Sequence, residues 1–150
     1  MTNFDKIIAL AEKPRGRKKK RAKGRIKPRM SISKVQRLLW IECKRIIRAK
    51  YGNTCYTSGK TGLVGSDWHT GHFIPKGACG AFLKYDLRNL RPQSYHDNIN
   101  LGGNGAEFYK RMVEREGQEY VDQLFRDKQK IINARDHFEN LLEEYRLIHF

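Results

Sequence analysis

The chain has 150 residues, with 31 Lys and Arg against 16 Asp and Glu, for a formal net charge of +15. That length holds one domain with a tail, and that charge calls for a polyanionic partner, nucleic acid before membrane. Its three scattered cysteines (Cys43, Cys55 and Cys79) exclude a disulfide framework, and the lack of a long apolar run excludes a membrane span.

The opening MTNFDKIIALAEK is too polar and too short for a signal peptide, so a soluble, intracellular protein with reduced thiols is expected. Residues 4–12 have the pattern of two helical turns, stopped by Pro14 and Gly16. A basic arm follows. Residues 11–29 hold eleven Lys or Arg against one Glu and contribute +10 of the net charge. With almost nothing to bury, residues 1–30 are expected to be a largely disordered nucleic-acid-binding arm. Arg17, Lys18, Lys19, Lys20, Arg21, Lys23 and Arg25 are its candidate phosphate contacts, in a sequence-blind and salt-dependent mode. A solubilising tail or a nuclear localisation signal has the same composition.

Residues 31–150 form the expected folded domain. Ser31 or Ser33 can cap a helix, the latter with Gln36 as a capping box. Val35, Leu39, Glu42 and Ile46 lie along one line of it, widened by Leu38, Cys43 and Ile47, while Lys34, Arg37, Lys44, Arg45, Arg48 and Lys50 line the other face. Gly52 is the natural stop. The basic face is either a solvated helix surface or a DNA contact. Residues 53–67 are turn-rich and contain Cys55-Tyr56-Thr57-Ser58-Gly59, the length of a zinc knuckle with Ser in place of its second cysteine.

The stretch Trp68–Asn104 concentrates the chemistry. Alternation predicts one strand over 68–75 and a second over 82–90, joined by a Gly-containing loop into a hairpin. Asp97 or Asn98 can then cap a short helix or tight turn before Gly102-Gly103. Helices are expected over 105–116, 118–130 and 131–147, with Gly117 as a break and with Phe108, Met112, Val121, Leu124, Phe125, Ile131, Phe138, Leu141, Leu142 and Tyr145 on their apolar faces.

A hairpin followed by a helix, with His on the first strand and Asn on the second, is the layout of a one-metal nuclease. An imidazole near its natural pKa can activate water at neutral pH, one divalent ion can bridge the scissile phosphate, and an Asn can hold the imidazole in place. His72 is the candidate general base, Asn89 the candidate orienter, and Asn98 a candidate oxygen ligand for the ion. His69 projects to the opposite side of the strand from His72 and is a further candidate ligand. Lys76 and Arg88 are candidate DNA contacts beside the hairpin. Each has a structural rival: His72 as a core histidine, Asn89 as a turn residue, Asn98 and Asn104 as caps. His96 reads as a surface residue, His137 and His149 as non-catalytic, and Cys79, with no base beside it, as no nucleophile.

Three segments carry a family resemblance. They are Gly71-His72-Phe73, then Leu83-Lys84-Tyr85-Asp86-Leu87-Arg88-Asn89-Leu90, then Gln93 through Asn98 to Gly103-Asn104. With Arg115-Glu116-Gly117-Gln118-Glu119-Tyr120-Val121-Asp122, they resemble the NinG (Rap) recombination proteins of tailed bacteriophages, within the HNH, or ββα-metal, nuclease superfamily. The resemblance covers roughly residues 30 to 125. It implies an α+β fold with a ββα-metal hairpin-helix core and flanking helices. It also implies a metal-dependent endonuclease using Mg2+ or Mn2+ on duplex or branched DNA, in the host cytoplasm if phage-encoded. His72 takes the base position, Asn89 the middle position and Asn98 the third. His69 stands where the family has an acidic residue.

The family also resembles one with two Cys-x-x-Cys pairs around a structural zinc. Here those pairs read Cys55/Ser58 and Ser94/Asp97, leaving one thiolate of four. A structural zinc normally takes four Cys or His ligands. An improvised set of Cys55, Cys79, His96 and Asp97 is the rival reading. The expectation is that the zinc is lost and that apolar packing by Tyr56, Leu63, Val64, Tyr95 and the helices replaces it. Two other functions stay open: a catalytically inactive DNA-binding recombination accessory protein on the same scaffold, and a basic RNA-binding protein. A homodimer is compatible with the C-terminal helices.

Overall fold

The computed structural model describes residues 28–150; the arm contacts from Arg17 to Arg25 lie outside the described residues. Helix α1 runs Ile32–Tyr51. It begins at Ser31, whose side chain accepts from the Lys34 amide at 3.3 Å, so Ser31 and not Ser33 is the cap. It ends at Gly52, held at φ 67°. Val35, Leu39, Cys43, Ile46 and Ile47 form its buried stripe, as the 3.6-residue period requires.

The hairpin follows. Strand β1 is Trp68–His72 and strand β2 is Leu90–Ser94, paired antiparallel with His72 opposite Leu90 and Trp68 opposite Ser94. The second strand therefore lies later than alternation suggests. Residues 80–83 coil into a short helix, α2 (Gly80–Leu83), and 87–89 into a 3-10 turn capped by the Asp86 side chain, which accepts from the Arg88 amide. Every residue of β2 is buried, so Leu-Arg-Pro-Gln-Ser shows no inside-outside alternation. On its far side, the Pro92 carbonyl accepts from the Tyr56 amide at 2.8 Å. Proline, lacking an N–H, fits a strand that is not continued by another.

A π-helical turn, His96–Asn100, leads through Gly102 and Gly103 to α3 (Gly105–Glu116). Gly117 breaks the chain before α4 (Gln118–Asp127), and Asn133 caps α5 (Ala134–Arg146). Ile131 precedes α5 and is fully exposed rather than stacked on it, and Phe125 and Tyr109 also face outward.

The fold is thus mixed α+β, with a two-stranded antiparallel sheet between two apolar layers. One layer joins α1 and α5 through Leu39, Ile46, Phe138 and Leu142 and takes in Trp68 and Leu90 from the hairpin. The other joins α3 and α4 through Phe108, Met112, Val121 and Leu124 and takes in Phe73, Ile74 and Leu83. The start of the described chain belongs to the first layer. Arg29 pairs with Asp136 at 2.5 Å and with Glu139 at 2.8 Å on α5, and Met30 packs against the core. Among the described residues, no helix is long and apolar enough to cross a membrane.

Candidate functional site

His72 closes β1, where the chain turns into the hairpin loop. Its Nε2 lies 2.9 Å from the Lys84 carbonyl oxygen. A carbonyl only accepts, so Nε2 carries the proton and Nδ1 carries the lone pair. The Trp40 indole, from α1, stacks on the ring with centroids 5.4 Å apart and planes 6° from parallel. Burial lowers the imidazole pKa below its ordinary value; the Lys84 carbonyl opposes this, and the Lys76 and Lys84 cations add to it. The result is a half-buried, neutral imidazole in one fixed tautomer, suited to accept a proton.

Asn89 does not touch this ring. Fully buried, it accepts from the Ile74 amide at 2.8 Å and donates to the Ile74 carbonyl at 3.1 Å, while its own carbonyl accepts from Phe73. It closes the base of the 73–89 loop as an extra rung of the ladder. The orienting role expected of its side chain falls to the Lys84 backbone, which that loop delivers. Beside Asn89, Arg88 ties the same end of the loop to α4, pairing with Asp86 at 2.7 Å and Asp127 at 2.8 Å. Arg88 is largely buried and engaged with two carboxylates, so it is a strut between loop and α4 rather than an open phosphate contact. Lys76, on the same loop, is exposed.

His69 and Asn98 meet at the other end of the sheet. His69 Nε2 donates to the Ser66 carbonyl at 3.0 Å, and Nδ1 accepts from the Asn98 amide at 3.1 Å. Tyr95 packs edge-on to the imidazole. A separation near 3 Å is that of neighbouring ligands in an octahedral shell with bonds of roughly 2.1 Å. Turning the Asn98 amide would offer its oxygen beside the imidazole nitrogen. As it stands the pair is a hydrogen bond between two potential donors to an ion. It is not a finished cage, since no group of three or more His, Cys, Asp or Glu among the described residues could hold a metal. The structure brings His69 and Asn98 together and keeps His72 apart, three residues along the strand and on its other face, roughly 10 Å away.

The remaining histidines behave as surface and core residues. His96 is exposed and meets Asn100 at 3.3 Å. His137 is stacked on Phe82 and meets its carbonyl at 3.1 Å, and His149 is exposed. On α1, Lys34, Arg37, Lys44 and Arg48 are exposed, Arg48 lying over the Trp68 ring at 4.3 Å. Arg45 is held by Glu42 at 2.8 Å and by the Tyr145 carbonyl.

Three contributors escape a reading of the sequence. The Lys84 carbonyl is backbone and leaves no sequence signal. Trp40 sits at the edge of the α1 apolar stripe and could have been noticed as an aromatic there. Gln93, fully buried, donates to the Gly103 carbonyl at 2.9 Å and so ties β2 to the turn before α3.

A family model described as Bacteriophage Lambda NinG protein matches residues 5–148. No curated protein and no solved structure matches the chain.

Proposed function

The chain belongs to the bacteriophage NinG family, phage recombination-related proteins, and from that premise we propose an HNH-type endonuclease that hydrolyses DNA phosphodiesters in branched or recombination intermediates. The observation behind this reading is the His72 imidazole, fixed by the Lys84 carbonyl and backed by Trp40. Nδ1 would take the proton from a water attacking phosphorus, and the Lys84 carbonyl would steady the imidazolium that forms. Asn98 and His69 would hold Mg2+ or Mn2+, and the ion would supply charge neutralisation to a bound DNA phosphate. The basic arm, Lys76 and the exposed cations of α1 would grip the DNA backbone.

The distance between His72 and the His69/Asn98 pair favours a second reading, a DNA-binding recombination accessory protein without catalysis. Incubating the full-length protein with duplex DNA and a four-way junction in Mg2+ or Mn2+ separates the two. The nuclease cuts, and His72→Ala abolishes cutting while binding is retained. Binding without cutting across several divalent metals establishes the accessory protein.

A further inference from the structure

Residues 55–58 and 94–97 form two turns that meet at the end of β2. The Cys55 amide donates to the Lys60 carbonyl at 2.7 Å, and the Gly59 amide donates to the Cys55 carbonyl at 3.0 Å. In the second turn, the Asp97 amide donates to Ser94 Oγ at 3.1 Å. Between them, the Ser94 amide donates to Cys55 Sγ at 3.3 Å.

At the centre is one carboxylate oxygen. Asp97 Oδ2 accepts from Ser94 Oγ at 2.5 Å, Ser58 Oγ at 2.9 Å and Cys55 Sγ at 3.3 Å. The other oxygen, Oδ1, accepts from Asn104 Nδ2 at 2.8 Å. Asn104 is held there at φ 50°, a left-handed conformation that few side chains other than Asn accept. The positions where the resemblance implies four zinc thiolates thus carry three donors and one acceptor, and they complement one another.

This donor set does not fit a structural zinc, which takes four Cys or His. The improvised ligands do not arrive either: the Cys79 thiol faces the Lys76 and Gly80 carbonyls in the other apolar layer, and His96 faces solvent beside Asn100. Of the apolar residues expected in the ion's place, Tyr56 and Leu63 are buried in the core, whereas Val64 is 68% and Tyr95 46% exposed.

We infer that Cys55, Ser58, Ser94 and Asp97 form a metal-free clasp, in which the Asp97 carboxylate joins the two turns as a zinc ion would. The clasp rests on geometry at the far end of the hairpin from His72 and does not depend on whether the protein cuts DNA. Three hydrogen bonds to one charged oxygen make it stiff, because charge-assisted bonds are about twice as strong as neutral ones.

The test uses the full-length protein. Wild type should contain no zinc by elemental analysis and melt at the same temperature with and without EDTA. Asp97→Ala should lower the melting temperature by on the order of 10 °C, and Asp97→Asn should lower it too, because its amide oxygen lacks the charge that strengthens the three bonds and its amide nitrogen faces the Asn104 donor. The triple variant S58C/S94C/D97C should bind one Co2+ with thiolate charge-transfer absorbance and melt higher with zinc than without. Stoichiometric zinc in wild type, an EDTA-dependent melt, or an Asp97→Asn melt equal to wild type overturns the clasp. So does a folded triple variant that takes up no Co2+, because the four positions would then not converge.

Discussion

The imidazole of His72 and the indole of Trp40 lie face to face, 6° from parallel, with one ring from the sheet and one from α1. Burial in this contact holds the imidazole pKa below the ordinary value of 6.5. The neutral form therefore persists as pH falls through 6.5, and the acid limb of a cleavage-rate profile should lie below that value. The same shift sets a stability trend. A group with a depressed folded pKa contributes stability that is present above pH 6.5 and is lost as pH falls through the folded pKa. Trp40→Ala should move the His72 pKa up towards 6.5 and slow cleavage about tenfold, since orientation and desolvation are both lost. NMR titration of the ring carbons checks the first and steady-state rates the second.

Asn89 should matter most for the loop. Truncation to Ala leaves the Ile74 N–H and C=O without partners inside the protein. Asn89→Ala should cost about 2–4 kcal/mol in urea unfolding, near the sum of two unsatisfied buried groups. Cleavage should fall as well, because the loop delivers the Lys84 carbonyl to His72. An Asn89→Ala protein with wild-type stability would show that the loop base is held by something else.

Gly71 is a packing requirement rather than a flexible point. A Cβ there would sit 1.9 Å from Gln93 Oε1, and Gln93 cannot swing away without releasing Gly103. Gly71→Ala should destabilise by roughly 1–3 kcal/mol. Adding Gln93→Ala should recover part of that loss, giving a coupling energy in a double-mutant cycle.

The boundary of the arm is also testable. Arg29 and Met30 are tied to α5 and the core. A chain starting at residue 28 should keep the full-length melting temperature, whereas one starting at residue 32 should melt a few degrees lower. Both should bind DNA more weakly than the full chain, with a flatter dependence on salt, because the proposed phosphate contacts from Arg17 to Arg25 are removed.

Much of the architecture was legible because it is written in local periodicity. The stripe of α1 from Val35 to Ile47, its Gly52 stop and the Gly117 break between α3 and α4 all follow from the 3.6-residue period and backbone chemistry. Strand β2 was not legible, because Arg91, Gln93 and Ser94 are buried and polar. The two terminal nitrogens of Arg91 are held by Glu116 at 2.8 Å and by backbone carbonyls, partners that only the folded chain supplies. At the site, residue identity pointed to His72 but not to its restraint. The restraint is a carbonyl and a stacked ring from elements 12 and 32 residues away. The Asp97 cluster did leave a signal. Two hydroxyls and a carboxylate stood in the places of three thiols, and that is a donor–donor–acceptor set rather than a random loss.

The carboxylate clasp also changes what the chain requires to mature. A zinc knuckle built on four cysteines folds only when it captures an ion, and its thiolates compete with every other zinc ligand in the cell. Here the bridging group is encoded in the polypeptide, and its one thiol, on Cys55, is buried. With the inferred clasp, folding should be completed at any zinc level, with no cluster of four thiolates for an oxidant to strip. On this inference the yield of folded protein should be the same from zinc-replete and zinc-depleted cells.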